Sequence, residues 1–166
     1  ASDVYKRQDI NIVVNENPSV NLSISSSEVC DGDPVNLIFN FTSGTAPYSV
    51  DYSINSTPQT PISFASSGNQ NYNLDNPYPS IGTNSYQVIS LTDINGCINT
   101  TPTQIVDVIV NEIPNIDIAI TGNNPLCLGE SSEISFPVFS GTAPFNVIFS
   151  DGINSNTVTV DNNGLV

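Results

Sequence analysis

The sequence predicts an all-β chain of tandem antiparallel β-sandwiches, the second of them truncated. Three observations carry that expectation. Apolar and polar residues alternate over short stretches, no window keeps helical spacing for more than a few residues, and one turn sequence returns at a fixed distance. The turn is Ser43-Gly44-Thr45-Ala46-Pro47-Tyr48, which recurs as Ser140-Gly141-Thr142-Ala143-Pro144-Phe145. Gly44 and Gly141 stand 97 residues apart, as do Cys30 and Cys127. A second anchor, Asn15-Glu16-Asn17-Pro18 against Asn111-Glu112-Ile113-Pro114, repeats at 96, so one residue enters between the anchors. Such self-similarity is the signature of a tandem array. In each turn glycine supplies a permissive backbone, and proline fixes φ and biases the preceding alanine toward extended geometry. An aromatic then opens a strand.

Taken in order, residues 1–8 stand apart. Asp3-Val4-Tyr5-Lys6-Arg7-Gln8 resembles the in-frame translation of a transposase adapter from sequencing-library preparation, so Ala1 to Gln8 are left out of fold reasoning. Lys6 and Arg7 are the two basic residues of the chain, and the remainder has none. Residues 9–17 read as the last strand of a preceding repeat plus a linker, because Ile10, Ile12 and Val14 match Val106, Val108 and Val110.

The complete repeat is expected over 18–114. Val20, Leu22 and Ile24 alternate with polar residues, the period of a half-buried strand. Cys30-Asp31-Gly32-Asp33-Pro34 reads as a turn, followed by Val35, Leu37, Phe39 and Phe41 on one strand face and Tyr48, Val50, Tyr52 and Ile54 on the next. Ile62-Ser63-Phe64, close to Pro58 and Pro61, reads as a short edge strand, since proline cannot donate to a ladder. Tyr72 and Leu74 mark another strand. In Tyr86 to Asp93 the apolar parity switches between Val88 and Leu91, which predicts a bulge near Ile89 or Ser90. Asp93-Ile94-Asn95-Gly96 is a turn with a strong Asn-Gly signal, and Ile105 to Val110 forms the closing strand. About seven short strands with regular turns indicate an antiparallel sandwich. The second repeat, 115–166, restarts the pattern with Ile116/Ile118/Ile120, Ile134/Phe136/Val138, Phe145/Val147/Phe149 and Thr157 to Val160.

Composition excludes several functions. The chain has 166 residues, 38% of them hydrophobic, and a formal net charge of −14. So acidic a chain repels phosphate backbones and anionic lipid, and no run is long or apolar enough to span a bilayer, so neither nucleic-acid binding nor membrane insertion is expected. There is no histidine, so serine–histidine, cysteine–histidine and most zinc arrangements are ruled out. The carboxylates sit singly in turns rather than paired across a cleft, and no enzymatic activity is expected.

Cys-x-Gly, Gly-Thr-Ala-Pro-Tyr, Tyr-x-Val and Asp-x-Asn-Gly-Cys stand in order within one repeat. That series resembles the immunoglobulin-like and PKD-like repeats of very large secreted Bacteroidota surface proteins, gliding-motility adhesins among them. The matching positions are Cys30, Gly32, Gly44 to Tyr48, Tyr86, Asp93, Gly96 and Cys97, then Cys127, Gly129 and Gly141 to Phe145. The family often carries a paired glycine before its proline motif, where this chain has Ser-Gly-Thr. The resemblance implies an extracellular, non-catalytic array of immunoglobulin-like sandwiches, exported by the type IX system. Its partners would be neighbouring repeats and, as an adhesive module, surface glycans or other cell-surface proteins. The alternative is a carbohydrate-binding accessory module of a secreted hydrolase.

Candidate ligand residues are few. Calcium is the one cofactor with a footing: Asp31, Asp33, Asp93 and Asn95, and also Asp151 with Asn154, place oxygens in loops, though none completes a calcium loop. Turn-forming aspartates explain the same residues. Cys30 and Cys97 make a disulfide pair by cysteine arithmetic, which fits secretion. In an immunoglobulin-like order these two would lie at opposite poles, beyond disulfide reach, and a link between neighbouring repeats is then the alternative. Tyr78, held between Pro77 and Pro79, is the candidate sugar-stacking ring; a ring folded inward as a plug is the rival. Sequons at Asn21, Asn40, Asn55 and Asn99 carry little weight in so Asn-, Ser- and Thr-rich a chain.

Overall fold

The computed structural model describes residues 10–75, 78–102, 104–121, 125–137 and 140–161. The adapter-like residues 1–8, Asn76 and Pro77 of the proline-flanked loop, and Val138 lie outside them. Every regular element among the described residues is a β-strand, so the chain is all-β. In chain order these are β1 (Ser19–Ile24), β2 (Glu28–Cys30), β3 (Asn36–Ser43), β4 (Tyr48–Ile54) and β5 (Thr57–Pro58). Then come β6 (Ile62–Phe64), β7 (Gly68–Asn73), β8 (Gly82–Thr92), β9 (Ile98–Asn99) and β10 (Ile105–Asn111). The last four are β11 (Ala119–Thr121), β12 (Glu133–Ser135), β13 (Phe145–Ser150) and β14 (Ser155–Val160).

The chain divides into two compact units. One holds the described residues of Ala1–Ser25, Asn36–Asn73 and Ser85–Val106; the other holds Ser26–Val35 and the described residues of Leu74–Asn84 and Asp107–Val166.

In the first unit β1, β3 and β7 form an antiparallel sheet, with Leu22 opposite Phe39 and Leu37 opposite Tyr72. β4 pairs with β8 along one edge and with β5 and β6 along the other, while β9 adds to the end of β8. Alternation sends Val20 and Leu22, then Leu37, Phe39 and Phe41, then Tyr48, Val50 and Tyr52 into the core, as the sequence predicts. Aromatic rings join the two layers. Phe39 lies 4.9 Å from Phe64, and Phe41 stacks on Tyr48 with ring centroids 4.3 Å apart. Burying each such ring is worth about 2–3 kcal/mol from area alone.

The parity switch in β8 is a bulge. Asp51 is opposite Ser90 and Tyr52 opposite Val88, so Ile89 is skipped and left 41% exposed while Leu91 returns to the core. The proline-flanked edge strand is also found, as β6 on the margin of β4.

The second unit contains one strand the sequence concealed. β2 ends at Cys30, which the sequence pattern reads as the start of a turn, and runs parallel to β10, pairing Ile109 with Glu28 and Asn111 with Cys30. Three residues are too few for alternation to show. Farther along, β11 pairs with β12 and β13 with β14, both antiparallel. Phe145 and Val160 are buried opposite each other, with Ala143, Val147 and Val158 packed on them. Here one expectation needs correction: Ile118 and Ile120 do not alternate inward, and Ile118 is 62% exposed. Among the described residues β11 has only β12 as a sheet partner, whereas β1 is one of three strands backed by aromatic rings. Ile10, Ile12 and Val14 are exposed and form no strand, whereas Val108 and Val110, the matches of Ile12 and Val14, are buried.

Candidate functional site

Asp93 is the most connected of the predicted site residues. It follows β8, where Asn95-Gly96 turns the chain, with Gly96 at φ +78°. Its Oδ1 accepts the backbone N–H groups of Asn95 and Cys97, each at 3.0 Å, and its Oδ2 accepts that of Thr45 at 3.1 Å. Main-chain bonds run alongside: Ile94 N donates to Thr45 O and Asp93 N to Cys97 O. The residue is only 5% exposed. Burial alone would raise its pKa, but the amides of Thr45, Cys97 and Asn95 outweigh that and hold the carboxyl below its usual range. Both oxygens therefore serve protein donors. Asp93, read from sequence with Asn95 as a calcium candidate, braces the repeated Ser-Gly-Thr-Ala-Pro turn through Thr45 N, and Asn95 N is one of its donors.

The other calcium pair lies in a second turn. Asp33 N donates to Cys30 O at 3.0 Å and Asp33 Oδ2 accepts from Cys30 N at 3.2 Å, with Gly32 at φ +89° between them. Cys127 and Glu130 reproduce this geometry: Glu130 N donates to Cys127 O and Cys127 N to Glu130 Oε2, both at 3.0 Å. The longer glutamate does the work of the aspartate, a likeness that the residue letters hide. Asp31 is exposed and its N–H donates to Asn111 O. Asp151 Oδ1 caps the β13–β14 turn by accepting from Ile153 N and Asn154 N. Those two amides lower its pKa. Among the described residues no three Asp, Glu or Cys side chains gather into a group able to hold a metal ion.

Tyr78 faces the Cys30 turn. Its half-buried ring carries a hydroxyl 2.9 Å from Asp33 O and 3.1 Å from Cys30 O, so one O–H is shared between two carbonyls. The hydroxyl thus ties its loop to the turn. Cys30, Cys97 and Cys127 are all free thiols in this structure, Cys30 and Cys127 exposed and Cys97 half-buried. Two sequon asparagines are used internally: Asn55 Oδ1 accepts from Ser85 N, and Asn99 Nδ2 donates to Pro18 O.

The feature that sequence reading missed is a joint between each repeated turn and the linker before it. Ser43 Oγ donates to Asn17 O at 2.7 Å, and Ser140 Oγ donates to Ile113 O at 2.7 Å. Pro18 sits so close to Gly44 that a Cβ there would lie 2.7 Å from Pro18 Cβ; at Gly141 the corresponding distance to Pro114 is 3.0 Å. Both glycines have positive φ, +84° and +87°. Ala46–Pro47 and Ala143–Pro144 are both cis. In the first copy Tyr48 Oη also donates to Gly44 O at 3.0 Å, a bond that Phe145 cannot make in the second. The signal lay in the sequence, because the Asn-Glu-x-Pro linker and the turn recur together.

No family model matches the chain, and no curated protein does either. Among the described residues no helix is long and apolar enough to cross a membrane.

Proposed function

We propose that the chain is a non-catalytic segment of tandem immunoglobulin-like β-sandwich repeats, a spacer or adhesive module of a large secreted, cell-surface protein. The observation that carries this reading is the joint made twice. In each copy the linker proline seats on the turn glycine and the linker carbonyl takes the serine hydroxyl at 2.7 Å. A short linker pinned at a backbone carbonyl fixes how the chain enters the repeat that follows it. The polar chemistry also supports it: Asp33, Glu130, Asp93 and Asp151 each accept a backbone amide and so stabilise turns. A formal charge of −14 favours neutral or cationic partners over nucleic acid or anionic lipid. Carbohydrate-binding accessory function would rest on Tyr78, whose hydroxyl is engaged by the Cys30–Asp33 turn.

The test uses the full chain on a glycan array and against a panel of soluble polysaccharides. Neither turnover nor Tyr78-dependent retention is expected. Saturable glycan binding lost in Tyr78→Ala would replace this reading with the accessory module.

A further inference from the structure

Among the described residues β7 pairs with β3 alone, so its other edge is open. The strand lies within the first unit, and the chain is described without a break from Ile10 to Asp75. Exposed edges of this kind are usually blunted by a charge, a proline or a bulge. β7 has none of these. It reads Gly-Asn-Gln-Asn-Tyr-Asn and keeps its register with β3 throughout. It also sits in the longest uncharged stretch of the chain, Tyr52 to Leu74.

The ladder shows which backbone groups face that edge. Leu74 N donates to Val35 O at 3.1 Å, which sets the phase of the β3–β7 pairing. Counting back at period two, Tyr72, Gln70 and Gly68 exchange bonds with β3, while Asn69 and Asn71 turn their N–H and C=O groups outward. On the far side of β3, Ser25 N donates to Asn36 O, as the same phase requires.

We infer that β7 is a self-association strand, pairing antiparallel with β7 of a second copy about a two-fold axis at Gln70. Asn69 then stands opposite Asn71 of the second copy, and the outward N–H and C=O groups of both residues are satisfied on both strands. Gly68 falls opposite Tyr72, and a Cβ at Gly68 would meet nothing within 4 Å, so the ring has room. The exposed amides of Asn69 and Asn71 carry the row Asn21–Asn40–Asn69 across the axis. The occupant is a second copy because the segment is its own complement, asparagine meeting asparagine and glycine meeting tyrosine. Charge points the same way. Two chains of formal charge −14 repel each other, and they approach at least cost where no charge lies. This inference goes beyond the proposed function and does not depend on it.

The test is sedimentation equilibrium of the full chain, with reductant to keep Cys30, Cys97 and Cys127 as thiols. A monomer–dimer equilibrium is expected with Kd below about 1 mM, tightening as added salt screens the repulsion. Asn71→Pro removes one outward N–H and leaves the β3 ladder intact, so the dimer should weaken at least about tenfold. Should that chain fail to fold, a charge pair on the axis decides. Gln70→Glu and Gln70→Lys chains should each stay monomeric alone and form a dimer when mixed. Monomer throughout at about 1 mM, an unweakened dimer from folded Asn71→Pro, or no association on mixing would overturn the inference. So would growth past the dimer, which would mean that β7 meets the β1 edge of the next copy.

Discussion

Asp93 reaches across 48 residues of sequence to take the backbone N–H of Thr45 at 3.1 Å. That bond couples the two most recognisable turns of the chain, Asp-x-Asn-Gly-Cys and Ser-Gly-Thr-Ala-Pro. Its cost and benefit depend on ionisation, which gives the first prediction. The folded pKa lies below the ordinary aspartate value of 3.8, so the contribution is complete above 3.8. As pH falls below 3.8 the unfolded chain binds its proton first, and stability drops until the folded carboxyl is protonated too. Thermal melts between about pH 7 and pH 2 should show this acid slope, made shallower by Asp93→Asn. The variant should also melt lower at about pH 7, because an amide offers one acceptor oxygen where three N–H groups need partners.

Glycine substitutions should separate strain from collision. Gly32 has φ +89° with nothing near its missing Cβ, so Gly32→Ala should cost about 1 kcal/mol of backbone strain. At Gly44 the same strain is joined by a Cβ 2.7 Å from Pro18, and Gly44→Ala should cost roughly 3 kcal/mol. Urea unfolding of the two variants measures the difference. Equal losses would mean that Pro18 yields freely and the joint is soft.

Tyr78→Phe keeps the ring and removes the hydroxyl shared by Asp33 O and Cys30 O. Stability should fall by about 1 kcal/mol, the usual value of one hydrogen bond. A loss near zero by urea unfolding would place the hydroxyl in water.

Cys30 is exposed and Cys97 half-buried, both free. Each should react with a maleimide in the folded chain, and reductant should leave the melting temperature unchanged. A mass showing two thiols lost to oxidation, with a reductant-sensitive melt, would restore the pairing that cysteine arithmetic favours.

Much of the first unit was legible because its strands are long enough for alternation to show. Leu37, Phe39 and Phe41 repeat at period two and are buried, and even the bulge at Ile89 announced itself as a parity switch. β2 was not legible, since Glu28–Cys30 gives only three residues and its parallel partner lies some 80 residues on. At the candidate site, sequence placed the aspartates in turns but could not say what their oxygens meet. That depends on contacts such as Asp93 to Thr45, which no local pattern encodes. Ile118 misled because periodicity predicts a face, not whether anything covers it.

The central claim is a tandem of separately folded repeats, and pulling the full chain from its two ends tests it most directly. Residues 18–114 make 97 residues. They should unfold in one discrete event that lengthens the chain by about 330 Å, less the end-to-end distance of the fold. A featureless extension, or one larger event releasing residues 18–161 together, would contradict the account.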